Sequence, residues 1–173
     1  MYRNLVPVIS PGALGLPPLC GQGHSLDSTD PFPNDIRTRT DVHDLVVSFY
    51  REIVFDDLLG PVFGEVAEVD WAVHIPKLID YWCQILLGQP GYIGALLHAH
   101  SEVHEIQRFQ PELFDRWYAL FVATLDGSWS GPTVDKAKQH ARRVAGVLAR
   151  RLLDIEWDVH TCLRSGNQHI VGG

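Results

Sequence analysis

Apolar residues recur at helical spacing along most of the chain from residue 41 onward. Val42, Leu45, Val46, Phe49 and Ile53 fall three or four residues apart, which predicts a helix of about four turns with Asp41 as its N-cap and Asp44 in its first turn. The segment DDLLGPVF then turns the chain at Gly60-Pro61. Asp70 is placed to cap a second helix that carries Trp71, Ile75, Leu78, Trp82, Ile85 and Leu86 on one face. Pro76 lies inside that helix, removes a backbone donor, and is expected to bend its first turns. GQPGYIG, residues 88–94, reads as a loop. A short helix follows, with Leu96, His100 and Val103 or His104 on one face. Pro111 starts the next, whose stripe of Leu113, Phe114, Trp117, Leu120, Phe121 and Leu125 is wide and aromatic. After the break SWSGPT, Pro132 opens the cleanest helical period in the chain: Val134, Ala137, Ala141, Val144, Ala145, Leu148, Leu152 and Ile155, with Arg142, Arg143, Arg150 and Arg151 on the outer side.

No segment shows the sustained alternation that a half-buried strand needs, and no repeat is present, so the expected class is all-α. Prolines and glycines punctuate residues 1–40 too often for a regular element, which predicts a disordered arm before a domain at 41–157 and a polar tail at 158–173. An apolar content of 46% suffices for one core. The formal charge of −7 argues against nucleic acid or an anionic membrane as partner, since either calls for a basic face. No apolar run approaches the roughly 18 residues that span a bilayer, and prolines and glycines interrupt any signal-like core between Met1 and Cys20, so the cytoplasm is the expected compartment. Cys20, Cys83 and Cys162 lack the spacing of a disulfide framework or a zinc site and read as free thiols.

The chemistry concentrates between Trp71 and Trp117, where His74, His100 and His104 are interleaved with Trp82 and Tyr92. So many imidazoles and large aromatics in one stretch suggest that they enclose something. His24, His43, His140, His160 and His169 fall in the arm, on polar faces or in the tail, where solvated histidines are ordinary. His100 instead shares the leucine-bearing face of the short helix, so its ring needs either a metal or a backbone carbonyl as partner. His98, His100 and His104 also allow a zinc reading, His100 and His104 being one turn apart, but Ser101 stands where a helical zinc-protease motif needs Glu. A phosphate loop, a Gly-x-Ser-x-Gly elbow and a cysteine with a base are all missing from the sequence, which removes the nucleotide-binding and hydrolase readings. Tyr50 lies beside the apolar face of the first helix, as a core tyrosine does whose hydroxyl finds a nearby acceptor.

Taken in order, SFYREIVFDDLLGPVF, DWAVHIPKLIDYWCQILLG, GYIGALLHAH and FDRWYALFVATLD resemble the third group of truncated haemoglobins, over roughly residues 40–153. The resemblance implies a two-over-two globin-like helical sandwich around one haem b. It implies that His100 is the iron ligand, and that Tyr50 and Trp117 face the opposite side of the ring as donors to a bound ligand. His74 matches the distal histidine position, Phe63 would pack flat on the porphyrin, Leu78 would wall the distal pocket, Leu96 would lie under the ring and Lys77 would reach a propionate. Three features depart from the commonest pattern: Tyr81 stands where a phenylalanine usually precedes Trp82, the arm has no counterpart, and the stretch between His100 and the aromatic helix is long. The last keeps His104 open as the alternative ligand.

The implied function is binding of O₂ and other small diatomic ligands, with redox or detoxification chemistry on O₂, NO or peroxide of the NO dioxygenase or peroxidase type. No flavin or nicotinamide site is evident in a helical domain of this size, so a separate reductase would supply electrons. The alternatives are an oxygen carrier or sensor without turnover and a non-enzymatic helical interaction module. A di-iron bundle would require Glu-x-x-His motifs that the sequence lacks. Oligomeric state is left open.

Overall fold

The computed structural model describes residues 30–159. Among them are five α-helices and one π-helical turn, and no strand: α1 (Arg39–Val54), the π turn (Val62–Val66), α2 (Trp71–Leu87), α3 (Leu96–Ile106), α4 (Pro111–Ser128) and α5 (Pro132–Leu153). No helix of the described residues is long and apolar enough to cross a membrane.

Each helix begins and ends for a local chemical reason. α1 starts earlier than expected, because Thr38 rather than Asp41 is its N-cap. The Asp41 amide donates to Thr38 Oγ1 at 3.2 Å while Asp41 Oδ2 accepts from the Thr38 amide at 2.7 Å, a reciprocal capping box. Asp70 caps α2 by accepting from the Ala72 amide at 3.0 Å, and Gly88, at φ +68°, ends it in the left-handed conformation that glycine adopts without strain. α2 runs through Pro76 as one helix. The carbonyl that Pro76 cannot reach belongs to exposed Ala72, so water can serve it. α4 and α5 both start with proline at the first position, as the sequence predicts.

The N-cap of α5 is Gly131, which has no side chain to offer, and Asp35 supplies the missing acceptor from outside the helix. Its carboxylate accepts from the amides of Thr133 at 3.0 Å and Val134 at 3.1 Å. A Cβ on Gly131 would stand 2.6 Å from Asp35 Cγ, so glycine is required both for that approach and for a φ of 146°. Next to Asp35, Ile36 is buried in the main core. Residues 35–40 are therefore part of the fold, not of the arm expected over 1–40; residues 1–29 lie outside the described residues. At the other end α5 stops at Leu153, because Asp154 turns left-handed at φ 57°, so Ile155 does not continue the helix. The chain then folds back and Trp157 is buried, its indole N–H donating to Asp115 at 2.6 Å. The tail expected over 158–173 is described only for its first two residues.

α1 packs against both α2 and α4, and α5 packs against α4, α2 and α3. Two helix pairs, α1/α2 and α4/α5, thus lie one over the other, which is the all-α sandwich expected from the resemblance. The main core joins Val42, Leu45, Phe49 and Ile53 of α1 to Ile79, Trp82 and Leu86 of α2, Phe121 and Leu125 of α4, and Ala137 and Ala141 of α5. Each fully buried Phe or Leu contributes about 1.5–3 kcal/mol over an exposed one. A second cluster gathers Val62, Phe109, Phe114, Ala145, Leu148, Ala149 and Trp157. α3 is buried fully only at His104, and its Leu96 and Val103 pack against the second cluster.

Candidate functional site

A cavity of about 660 Å³ opens between α3 and the π turn, α1, α2, α4 and α5. Its walls are mainly apolar: Leu59, Val62, Phe63, Leu78, Trp82, Leu96, Val103, Phe114, Val144 and Leu148 contribute among others. Val73, Ile93 and Ile106 line it while remaining 51%, 94% and 73% exposed, so its mouth presents apolar surface that an apolar ligand would cover. Exposed Glu68, Lys77 and Glu102 stand at the rim.

Three polar side chains on one side of this cavity touch one another or share neighbours. Tyr50, from the inner face of α1, is 7% exposed, and its ring meets Phe63 at 5.9 Å, Trp71 at 5.8 Å and His74 at 6.1 Å. Burial pushes its phenol well above the ordinary tyrosine value, against a hydrogen bond from the Trp117 indole, so the hydroxyl stays protonated and able to donate. Trp117 reaches in from α4, stacked on Phe121 with centroids 5.6 Å apart and edge-on to Phe49 at the same distance. Burial holds the His74 pKa below the usual histidine range, with His100 and Lys77 adding to the effect.

His100 enters from α3. Its Nδ1 donates to the Leu96 carbonyl one turn earlier at 2.7 Å, which leaves the lone pair of the neutral ring on Nε2. Burial lowers its pKa and the Leu96 bond opposes this only in part, so the ring is neutral at neutral pH. His104, one turn later, does not line the cavity. Its Nδ1 accepts from the Phe109 amide at 3.0 Å, closing the turn between α3 and α4, and its buried Nε2 has no hydrogen-bond partner. With Nδ1 accepting, that Nε2 carries the proton of the neutral ring and has no lone pair to give.

No family model matches the chain. It is 28% identical to a group 3 truncated hemoglobin of Campylobacter jejuni over 104 residues, 58% of this chain and 80% of that protein. The crystal structure of the group III truncated hemoglobin from Campylobacter jejuni superposes with a TM-score of 0.60 at 26% identity, over 68% of this chain and 92% of that one. The chain has the all-α fold of a truncated globin. All eight side chains singled out from the sequence (Tyr50, Phe63, His74, Lys77, Leu78, Leu96, His100 and Trp117) line the one cavity.

Two contributions to the site are not expected from the sequence. His140, taken there as a solvated histidine, is half-buried, and its Nε2 lies 2.6 Å from the hydroxyl of Tyr81, itself a lining residue. The signal was present, since His140 falls three residues after Ala137 and four before Val144 on the apolar side of α5. Asp56, buried in the turn after α1, accepts from the amides of Leu58 and Leu59 and from Arg116 Nε at 2.6 Å, tying that turn to α4 one residue before Trp117. Its partner is sixty residues away in the chain, and no local pattern announces it.

A further concavity of about 770 Å³ lies on the outer side of α5 among Arg142, Arg143, Arg150 and Arg151. Arg142 pairs with Asp158 and Arg150 with Glu156, so much of its charge is neutralised at the surface.

Proposed function

We propose that this truncated globin binds haem b in the 660 Å³ cavity through His100 and carries out redox chemistry on O₂, NO or peroxide in the cytoplasm. The observation that carries the reading is the disposition of the histidines. The neutral His100 ring has Nδ1 bound to a backbone carbonyl and its Nε2 lone pair uncommitted, the arrangement an iron-ligating histidine needs. His104 is committed the opposite way, which supports His100 over its rival. The apolar walls and apolar mouth suit a broad flat ligand, the cavity volume falls within the roughly 300–1,000 Å³ of small-molecule sites, and Lys77 at the rim is a cation for a carboxylate.

Haem, when bound, supplies an iron that takes up small diatomic ligands and exchanges electrons. The chain's part is to shape what surrounds it. Phe63 and Leu78 exclude water, and Tyr50 and Trp117 offer an O–H and an N–H to a ligand that gains negative charge. Burial keeps the Tyr50 proton in place, so the phenol acts as donor and not as base. His74, neutral, is available to accept or pass a proton at the same end of the cavity. Three such groups over one ligand favour tight retention and polarisation of an O–O or N–O bond over easy release, which is why turnover is favoured over carriage. For turnover on O₂ or NO a separate reductase would supply electrons.

A spectrophotometric titration with hemin tests the first half: a Soret band saturating at one haem per chain is expected, and its absence ends the haem reading. Rapid mixing of the loaded protein with NO, peroxynitrite and peroxide, beside a carrier globin, tests the second. Rates no faster than the carrier's, together with weak O₂ binding, would favour transport or sensing.

A further inference from the structure

Tyr81 and His140 form a pair that ligand binding does not use. Tyr81 lines the cavity from α2, and its hydroxyl meets His140 Nε2 of α5 at 2.6 Å. Burial lowers the pKa of His140, and the neighbouring Arg143 and Lys136 add to this, so at neutral pH the phenol donates and the imidazole accepts. Among the described tyrosines, Tyr81 is the one hydrogen-bonded to an imidazole. A run of aromatic rings also leads from Trp117 to Tyr81, with Tyr92 a further 5.0 Å beyond it. Centroid steps are 5.6 Å to Phe121, 4.9 Å from there to Trp82 and 5.5 Å on to Tyr81.

We propose that Tyr81 and His140 form a redox relay through which a small phenolic reductant delivers electrons, one at a time, from the α5 side to the haem cavity. The proposal rests on the haem reading above. Oxidation of a phenol is favourable only if its proton leaves with the electron, and the proton needs an acceptor within hydrogen-bond reach, roughly 2.6–3.2 Å. Tyr81 has one. Tyr50 has no such bond: its ring stands edge-on to His74 with centroids 6.1 Å apart and the two are not hydrogen-bonded, so its oxidation is disfavoured although it stands deeper in the cavity.

Haem, when bound, would supply the site at which one hydrogen peroxide takes up two electrons and two protons and leaves as two waters. Tyr81 restores one electron while its O–H bond breaks and the proton passes to His140 Nε2, leaving a neutral phenoxyl radical beside an imidazolium. The external phenol gives one electron to that radical and one proton to solvent, and His140 returns its proton to Tyr81. Two such rounds consume two phenol molecules, each leaving as a phenoxyl radical, and restore the starting state.

The test is electron paramagnetic resonance of the haem-loaded full chain, freeze-quenched after one equivalent of hydrogen peroxide. Wild type should show a tyrosyl radical that ferulate abolishes, Tyr81→Phe should lose that signal, and Tyr118→Phe should keep it. His140→Gln, which keeps a polar group but cannot accept the proton as readily, should reduce it. An undiminished tyrosyl signal in Tyr81→Phe overturns the proposal, as does the absence of any in wild type. Hemin titration of each variant is run beside it, so a failure to bind haem registers as failure of the haem reading itself. A second measurement needs no haem: pulse oxidation of the full chain by azide radical should show indolyl absorbance decaying into phenoxyl absorbance, and this transfer should be lost in Tyr81→Phe. If the transfer is unchanged in that variant, the relay is wrong whether or not haem binds.

Discussion

Replacing Tyr50 with Phe removes one oxygen atom from the cavity and little else. The ring is 7% exposed and held edge-on by Phe49 at 4.9 Å and Phe63 at 5.9 Å, contacts that phenylalanine can keep. On the proposed haem reading, what disappears is a donor to the bound ligand, a charge-assisted hydrogen bond worth about 1.5–3 kcal/mol in a site of low dielectric. At about 1.4 kcal/mol per tenfold, that predicts O₂ release faster by roughly tenfold to a hundredfold. The lower end is favoured, because Trp117, which lines the same cavity, leaves its N–H as a remaining donor to the ligand. The assay is stopped-flow displacement of O₂ by excess CO on haem-loaded protein. CO release should change less, since CO draws less charge and depends less on a donor. A change in O₂ release below roughly twofold, with haem content intact, would mean that the phenol contributes less than about 0.5 kcal/mol and is a packing residue.

Three further outcomes follow from the geometry. His100→Gly should lose the Soret band and regain it with added imidazole, whereas His104→Gly should keep haem and lose thermal stability through the Phe109 amide; the reverse pattern would reassign the ligand. Asp35→Ala strips two α5 amides of their acceptor and should lower stability by about 1–2 kcal/mol in urea unfolding, with Asp35→Asn recovering part of it, whereas an unchanged midpoint would make Asp35 incidental to the fold. Burial raises the Asp56 pKa, but the Leu58 and Leu59 amides and Arg116 outweigh it and hold the carboxylate below the ordinary range. Its stabilisation is therefore present above about pH 3.9, the unfolded value, and is lost as pH falls through the lower folded value. Asp56→Asn should flatten the acid limb of the stability curve, and an identical acid limb in the two proteins would refute this.

The spacing of apolar residues alone determined that the chain is helical, and nearly where each helix lies. Pro111 and Pro132 start α4 and α5 and Gly88 ends α2, because these residues act through their own backbone geometry. Helical periodicity likewise set the faces on which Tyr50, His74, His100 and Trp117 lie. It did not decide between His100 and His104, one turn apart on one face, since which ring nitrogen is free depends on the partner of the other. The Leu96 carbonyl engages one ring and the Phe109 amide the other, and only the packed turn between α3 and α4 brings that amide to His104. Asp35 capping a helix 98 residues on, Asp56 gripping Arg116 and Tyr81 meeting His140 belong to the same kind. Each pairs a polar atom with one from a distant segment, and periodicity records only which face is buried, so these partners exist only once the helices have packed.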